Sequence, residues 1–214
     1  MKNLLGLIAI SIAVHCSAQS PETAAPEKTG KPAGVIFFDD FDNNKNKWTI
    51  GSNGGATGRI DSGFYYLTSS GSAYGEAQEI RINTRKDFQI EARIRIVSGN
   101  PLHKHYYSML FWGREAMDGY NFTFAGDGFA SVETCHAKRQ ASCTVSEGSF
   151  QKTALDPAGF NVYKIRKVGD LYTFYINDTE FYKTPFAPFF GNLVGFGAGR
   201  KVSLAIDYLK VSYL

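Results

Sequence analysis

Residues 88–96 read FQIEARIRI. Phe88, Ile90, Ala92, Ile94 and Ile96 fall on one parity; Gln89, Glu91, Arg93 and Arg95 fall on the other. Successive side chains of a strand point to opposite faces, so this stretch is a β-strand with one dry face and one charged face. On a helix the two sets would be mixed around every side. The dry face needs a second layer to cover it. The charged face meets either water or a polar ligand, and which of these it meets is the functional question.

Strand and turn signals continue in both directions. Downstream are Tyr106–Trp112, Tyr120–Phe124 with a Gly126-Asp127-Gly128 turn, Phe129–Glu133, and Asn161–Lys167 with a Gly169-Asp170 turn leading into Leu171–Asn177. Leu193–Gly199 and Ser203–Leu214 follow. Upstream are Val35–Phe38, Gly63–Thr68 and Glu76–Ile82. Asp-Gly between apolar runs is a strong hairpin signal. No window beyond the first residues sustains a helical period, and no repeat of fixed length is present. The expected fold is all-β: a two-sheet antiparallel sandwich of about a dozen strands.

Before Val35 the chain changes character. Lys2, the apolar run Leu4–Val14 and the small residues Cys16-Ser17-Ala18 are laid out as a secretory signal peptide, cleaved after Ala18. Cys16 offers an alternative as a lipoprotein anchor, although Ala13 and His15 fit that motif poorly. The apolar run is short for a membrane span, so no transmembrane segment is expected. Residues 19–34 are rich in Pro, Ala, Thr and charge and read as a flexible linker, leaving residues 35–214 as the domain. The expected location is secreted or periplasmic, with a cell-surface lipoprotein as the alternative. An exported chain whose remaining cysteines are Cys135 and Cys143 is expected to pair them as a local staple. A formal net charge of +3, with no basic run interleaved with aromatics, gives no ground for a nucleic-acid partner.

Four segments, in order along the domain, resemble the concanavalin A-like lectin/glucanase superfamily. They are FFDDFDNNKNKW (37–48), DFQIEARIRI (87–96), VGDLYTFYIND (168–178) and AIDYLKVSY (205–213). They are similar to elements of family-16 glycoside hydrolases, laminin-G-like modules and 3-keto-disaccharide hydrolase domains. The resemblance implies a jelly roll with one concave sheet and a glycan as the commonest ligand. It also implies a structural Ca²⁺ held by the aspartate of the closing strand, here Asp207, with Asp40 as helper.

The chemistry of hydrolysis is poorly supplied. Glycoside hydrolysis needs two carboxylates about 5–10 Å apart. The family-16 Glu-x-Asp-x-(x)-Glu pattern is absent, and YYSMLFWG occupies the region where the 3-keto-disaccharide hydrolase domains carry Asn-Ser-Gly. Asp178/Glu180 and Glu115/Asp118 fall in turns and loops. Glu91 lies mid-strand beside arginines, which suits ion pairing better than general acid catalysis. Binding chemistry is better supplied, since sugars take aromatic rings and planar polar groups. If the neighbouring strands flank 88–96, Glu91, Arg93, Arg95, Trp112, Arg114, Asn121, Arg166 and Tyr175 form one polar face. Its arginines suit a carboxylate-bearing glycan. The expectation is therefore an exported carbohydrate-binding domain. A glycoside hydrolase with a non-standard site and a laminin-G-like protein-interaction domain are the alternatives. His103, His105 and His136 would bind Zn²⁺ only by converging.

Overall fold

The structure is a computed structural model and describes residues 34–99, 108–115, 118–136, 142–188 and 191–214. His103 and His105, and the leader and linker up to residue 33, lie outside the described residues. No helix occurs among the described residues, and no helix there is long and apolar enough to cross a membrane.

In chain order the strands are β1 (Val35–Asp39), β2 (Gly51–Asn53), β3 (Ala56–Asp61), β4 (Phe64–Ser69), β5 (Tyr74–Glu79) and β6 (Phe88–Ser98). Next come β7 (Ser108–Glu115), β8 (Asp118–Phe124), β9 (Phe129–His136), β10 (Ser142–Val145) and β11 (Gln151–Lys152). The last are β12 (Asn161–Val168), β13 (Leu171–Ile176), β14 (Thr179–Pro185), β15 (Leu193–Ala198) and β16 (Ser203–Tyr213). Sheet A runs β14-β13-β12-β6-β16-β4-β3-β2, with β1 also on β16. Sheet B runs β10-β9-β8-β7-β15-β5, with β11 on β9. Every pairing is antiparallel.

The alternation at 88–96 is realised through its centre: Phe88, Ile90, Ala92 and Ile94 are fully buried, while at the ends Gln89 is buried too and Ile96 is only partly so. The four fully buried residues join Ile165, Phe174, Leu204 and Leu209 of sheet A and meet Leu110, Trp112, Phe122, Val194 and Phe196 of sheet B in one core. The central strands β6 and β16 are eleven residues each and pair along nearly their whole length. A bulge between Ile206 and Tyr208 interrupts that pairing. The extra residue breaks the two-residue period: Ile206 and Leu209 are both buried, while Asp207 and Tyr208 between them are only partly so. Simple alternation would have put Ile206 and Tyr208 on the same side.

The opening segment has a structural explanation. Asp39 has no exposed surface. Its carboxylate accepts from the Phe41 N–H (3.0 Å), Asn46 Nδ2 (2.6 Å) and Trp48 Nε1 (2.7 Å). That cluster pins the Phe41 and Trp48 rings against Tyr65 and Phe196. The expected disulfide, Cys135–Cys143, is present and joins paired positions of β9 and β10.

Candidate functional site

The proposed polar face divides between two sheets. The strands flanking β6 are β12 and β16, whereas β7 and β8 lie in sheet B. Glu91, Arg93, Arg95, Arg166 and Tyr175 do share the outer face of sheet A, where Tyr175, Lys164, Glu91 and Lys210 form one row across four strands. Trp112 does not join them. It has no exposed surface, stacks on Tyr120 (5.5 Å) and meets Tyr172 edge-on (6.0 Å) in the core. It shares the inner face of β7 with Leu110. Asn121 lies on the outer face of sheet B, alternating with core residues Phe122 and Tyr120. Arg114 sits near the end of β7 and pairs with Asp118 at 2.6 Å.

On sheet A's outer face the charged groups serve one another. Glu91 accepts from Tyr208 Oη (2.8 Å) and Gln89 Nε2 (2.9 Å), with Lys164 Nζ at 3.5 Å. Arg93 is turned away from Glu91 and pairs with Asp207 at 2.6 Å. Arg166 donates twice to Gln89 Oε1 (3.1 and 2.9 Å) and lies 5.9 Å from the Tyr175 ring. Arg93 and Arg95 cover the Phe160 ring at 4.6 and 4.9 Å. The expected pairing of Glu91 with arginine is thus replaced by Tyr208 and Lys164. Burial, and then the Glu91 charge, push the Tyr208 phenol well above its ordinary range.

The outer face of sheet B is built differently. Across β5-β15-β7-β8-β9, one register row reads Ala77, Gly195, Phe111, Asn121, Glu133; the next reads Gly75, Gly197, Met109, Thr123, Ser131. On β5 and β15 this face is a strip of glycine and alanine, β7 adds Phe111 and Met109, and β8 and β9 carry a polar block in which Asn121, Thr123 and Ser131 are buried. The strip is obligatory at Gly195, where a Cβ would lie 2.1 Å from the Glu76 carbonyl oxygen and 2.6 Å from the Ala77 side chain. In the polar block, Asn121 Nδ2 lies 3.1 Å from Cys135 Sγ, and Ser131 Oγ donates to Glu133 Oε1 at 3.1 Å. Asn121 Oδ1 and Thr123 Oγ1 are buried and have no hydrogen-bond partner. Buried polar atoms are nearly always paired, so two orphans on adjacent rows of one face mark a place that lacks its partner. The Asn121/Thr123/Ser131/Glu133 alternation is visible in YNFTF and FASVE, but nothing in the sequence says that these two segments pair in register.

No known family's profile matches the sequence, and no curated protein is similar to it in sequence. Solved structures are similar in shape. One, from work on the endo-acting O-glycanases with which human gut bacteria initiate mucin breakdown, superposes with a TM-score of 0.62 at 14% identity, covering 85% of this chain and 100% of that one. The carbohydrate recognition domain of Emp47p superposes at 0.60 and 13% identity, over 86% and 99% of the two chains. That of Emp46p in its potassium-bound form superposes at 0.57 and 13% identity, over 84% and 96%. The fold is a two-sheet antiparallel jelly roll. Identities this low carry the architecture of the jelly roll and not its ligand.

The jelly roll's residues do not fit the structural Ca²⁺ that the resemblance implied. Asp207 holds a guanidinium at 2.6 Å, so a cation there would displace Arg93 or sit beside a like charge. Among the described residues the one cluster of metal-ligating types is Glu133, Cys135 and Cys143, whose ligand atoms lie within 4.8 Å of one another. Both sulfurs there are spent in the disulfide and offer no thiolate.

Proposed function

We propose that this jelly roll binds carbohydrate on the outer face of sheet B. The observation that carries the reading is the pair of buried, unpartnered acceptors, Asn121 Oδ1 and Thr123 Oγ1, on adjacent register rows. Asn121 and Thr123 are 1% and 2% exposed, so a hydroxyl-rich ligand supplies what they lack only where this face opens to admit it. Sugar hydroxyls donate to Asn121 Oδ1 and Glu133 and exchange donor and acceptor roles with Thr123 and Ser131. The likeness in fold to carbohydrate recognition domains supports the same class of ligand.

Binding is favoured over hydrolysis by where the carboxylates fall. Glu133 and Glu79 sit on β9 and β5, four strand spacings apart. That is about 19 Å at the usual spacing, beyond the roughly 10 Å limit for a glycosidase pair. We further propose that the protein is exported, on the strength of the apolar leader and the disulfide. A Ca²⁺ at Asp207 would have to compete with Arg93, so a chelator is expected to leave the melting temperature unchanged.

A second reading, an acidic glycan on sheet A's outer face, rests on the arginines over Phe160 and on the buried, unpartnered Arg95 Nε. One screen of neutral and acidic polysaccharides, with binding and reducing-sugar release measured on the same samples, tests the function. Binding without release is the expected result. Release of reducing ends would convert the reading to a hydrolase, and binding of nothing across the screen would refute it.

A further inference from the structure

The disulfide sits in a cluster whose chemistry changes when the bond is cut. Cys135 and Cys143 face each other across β9 and β10, with Cα atoms 4.1 Å apart. Glu133 lies two residues before Cys135, on the same face of β9. The two sulfurs and a Glu133 carboxylate oxygen all lie within 4.8 Å of one another. Ladder pairs on both sides, Ser142 with His136 and Thr144 with Thr134, hold the cysteines opposite each other through the backbone. Two neighbours prepare the donors. Asn121 Nδ2 donates to Cys135 Sγ at 3.1 Å, a hydrogen bond that favours the thiolate once that sulfur is free. Ser131 Oγ donates to Glu133 Oε1 at 3.1 Å and orients its carboxylate. Cys135 is buried, whereas Glu133 and Cys143 are partly exposed and Cys143 is on the edge strand of sheet B, so the cluster is open on one side.

We propose that reduction of Cys135–Cys143 converts this cluster into a Zn²⁺ site with Cys135, Cys143 and Glu133 as its ligands. The reductant is a dithiol. One of its thiolates attacks the partly exposed Cys143 Sγ, the S–S bond breaks, and Cys135 leaves as thiolate. The second thiol then attacks the reductant's own sulfur in the mixed disulfide, closing a cyclic disulfide and releasing Cys143. Two electrons pass to the protein, the dithiol is oxidised, and its two protons go to the cysteines. Zn²⁺ displaces those protons to solvent, because the thiolate is the ligand. Donor type selects the metal. Two thiolates favour zinc over calcium or magnesium, which take oxygen donors, and the carboxylate completes three protein ligands with a fourth place left to water. Distance agrees. Sulfurs bound at ~2.3 Å on tetrahedral corners lie about 3.8 Å apart, within the span of the cluster, and freed sulfurs reach that separation by rotation about Cα–Cβ. The hairpin is thus closed either by its own disulfide or by a metal clip. The inference uses Glu133 as a metal ligand in the reduced chain and does not rest on the carbohydrate reading.

The test is calorimetric titration of Zn²⁺ into the full chain carrying Cys16→Ser, which leaves Cys135 and Cys143 as its cysteines. The chain is compared before and after reduction with tris(2-carboxyethyl)phosphine, the reductant being removed under argon. Cd²⁺ is a second probe, because thiolate ligation gives it an ultraviolet charge-transfer absorption. The reduced chain is expected to bind one Zn²⁺ at least about 100-fold more tightly than the oxidised chain, with the Cd²⁺–thiolate absorption present only after reduction. Glu133→Gln, which keeps the side chain's size, should weaken Zn²⁺ binding to the reduced chain by about tenfold or more. Where reduction lowers the melting temperature, Zn²⁺ should return it toward that of the oxidised chain, since binding and folding are linked. Four results would each overturn the proposal: Zn²⁺ affinity unchanged by reduction, a Cd²⁺ complex without thiolate absorption, a lowered melting temperature that Zn²⁺ does not raise, or Glu133→Gln binding Zn²⁺ as tightly as its parent.

Discussion

Asp39 illustrates what single residues do in this chain. Its buried carboxylate accepts three hydrogen bonds, one of them from the buried Trp48 indole. Asp39→Ala would leave those donors without an acceptor and is expected to cost about 3–5 kcal/mol of unfolding free energy, readable by urea titration. A cost below about 1 kcal/mol would contradict the cluster's role. Gly195→Ala is expected to be nearly as damaging, because its Cβ collides with backbone and not with a yielding side chain. The tyrosines make a pH prediction. Tyr65, Tyr163, Tyr172 and Tyr208 all have phenol pKa values raised by burial. A pKa raised on folding contributes stability that is whole below the unfolded value, near 10, and is lost as pH climbs beyond it. Stability should therefore hold up to about pH 10 and fall above it, with the ultraviolet signal of tyrosinate appearing together with unfolding. Four phenols ionising near pH 10 with the fold intact would show that the burial does not hold.

At the level of elements, the β9–β10 hairpin carries both the disulfide and one edge of the candidate face. The Cys135–Cys143 link closes a segment of separation 8, and its reduction is expected to cost about 2–3 kcal/mol. Since Asn121 leans on Cys135 Sγ at 3.1 Å, reduction should also weaken ligand binding; unchanged affinity in dithiothreitol would separate the staple from the site. Elements differ in how far the sequence announces them. β6 was legible because its period is unbroken, and β12 and β13 because a Gly-Asp turn joins them. β2 and β3 were not, because GSN and ATGRID carry too few apolar residues to mark a face. β14 was missed as well: TEFYKTP is a half-exposed edge strand reached through Asn177 and Asp178, both with positive φ. That two-residue turn suits a hairpin, yet Asn-Asp without glycine is a weak signal for it. The bulge at Asp207 is the other blind spot, since one inserted residue reverses parity without altering composition.

For the whole molecule, the sandwich could be inferred from alternation, but the assignment of strands to sheets could not. Parity says that Trp112 and Phe111 oppose each other; only the pairing of β7 with β8 and β15 decides that Trp112 faces inward. A face assembled from parity alone therefore merged two surfaces that the fold holds on opposite sides. Separated, they make different predictions. Sheet A's outer lattice is largely self-paired, so Arg93→Ala should cost only about 1 kcal/mol of stability, as partly exposed ion pairs do. Sheet B's outer face holds acceptors that a ligand would complete. The most direct measurement is isothermal titration of the best glycan from the screen into the wild type, Asn121→Ala, and the double variant Arg93→Ala/Arg166→Ala, each first shown to be folded. Loss of affinity of about tenfold or more in Asn121→Ala, with the arginine variant unchanged, is the predicted result. Full affinity in Asn121→Ala and loss in the arginine variant would contradict it and move the site to sheet A.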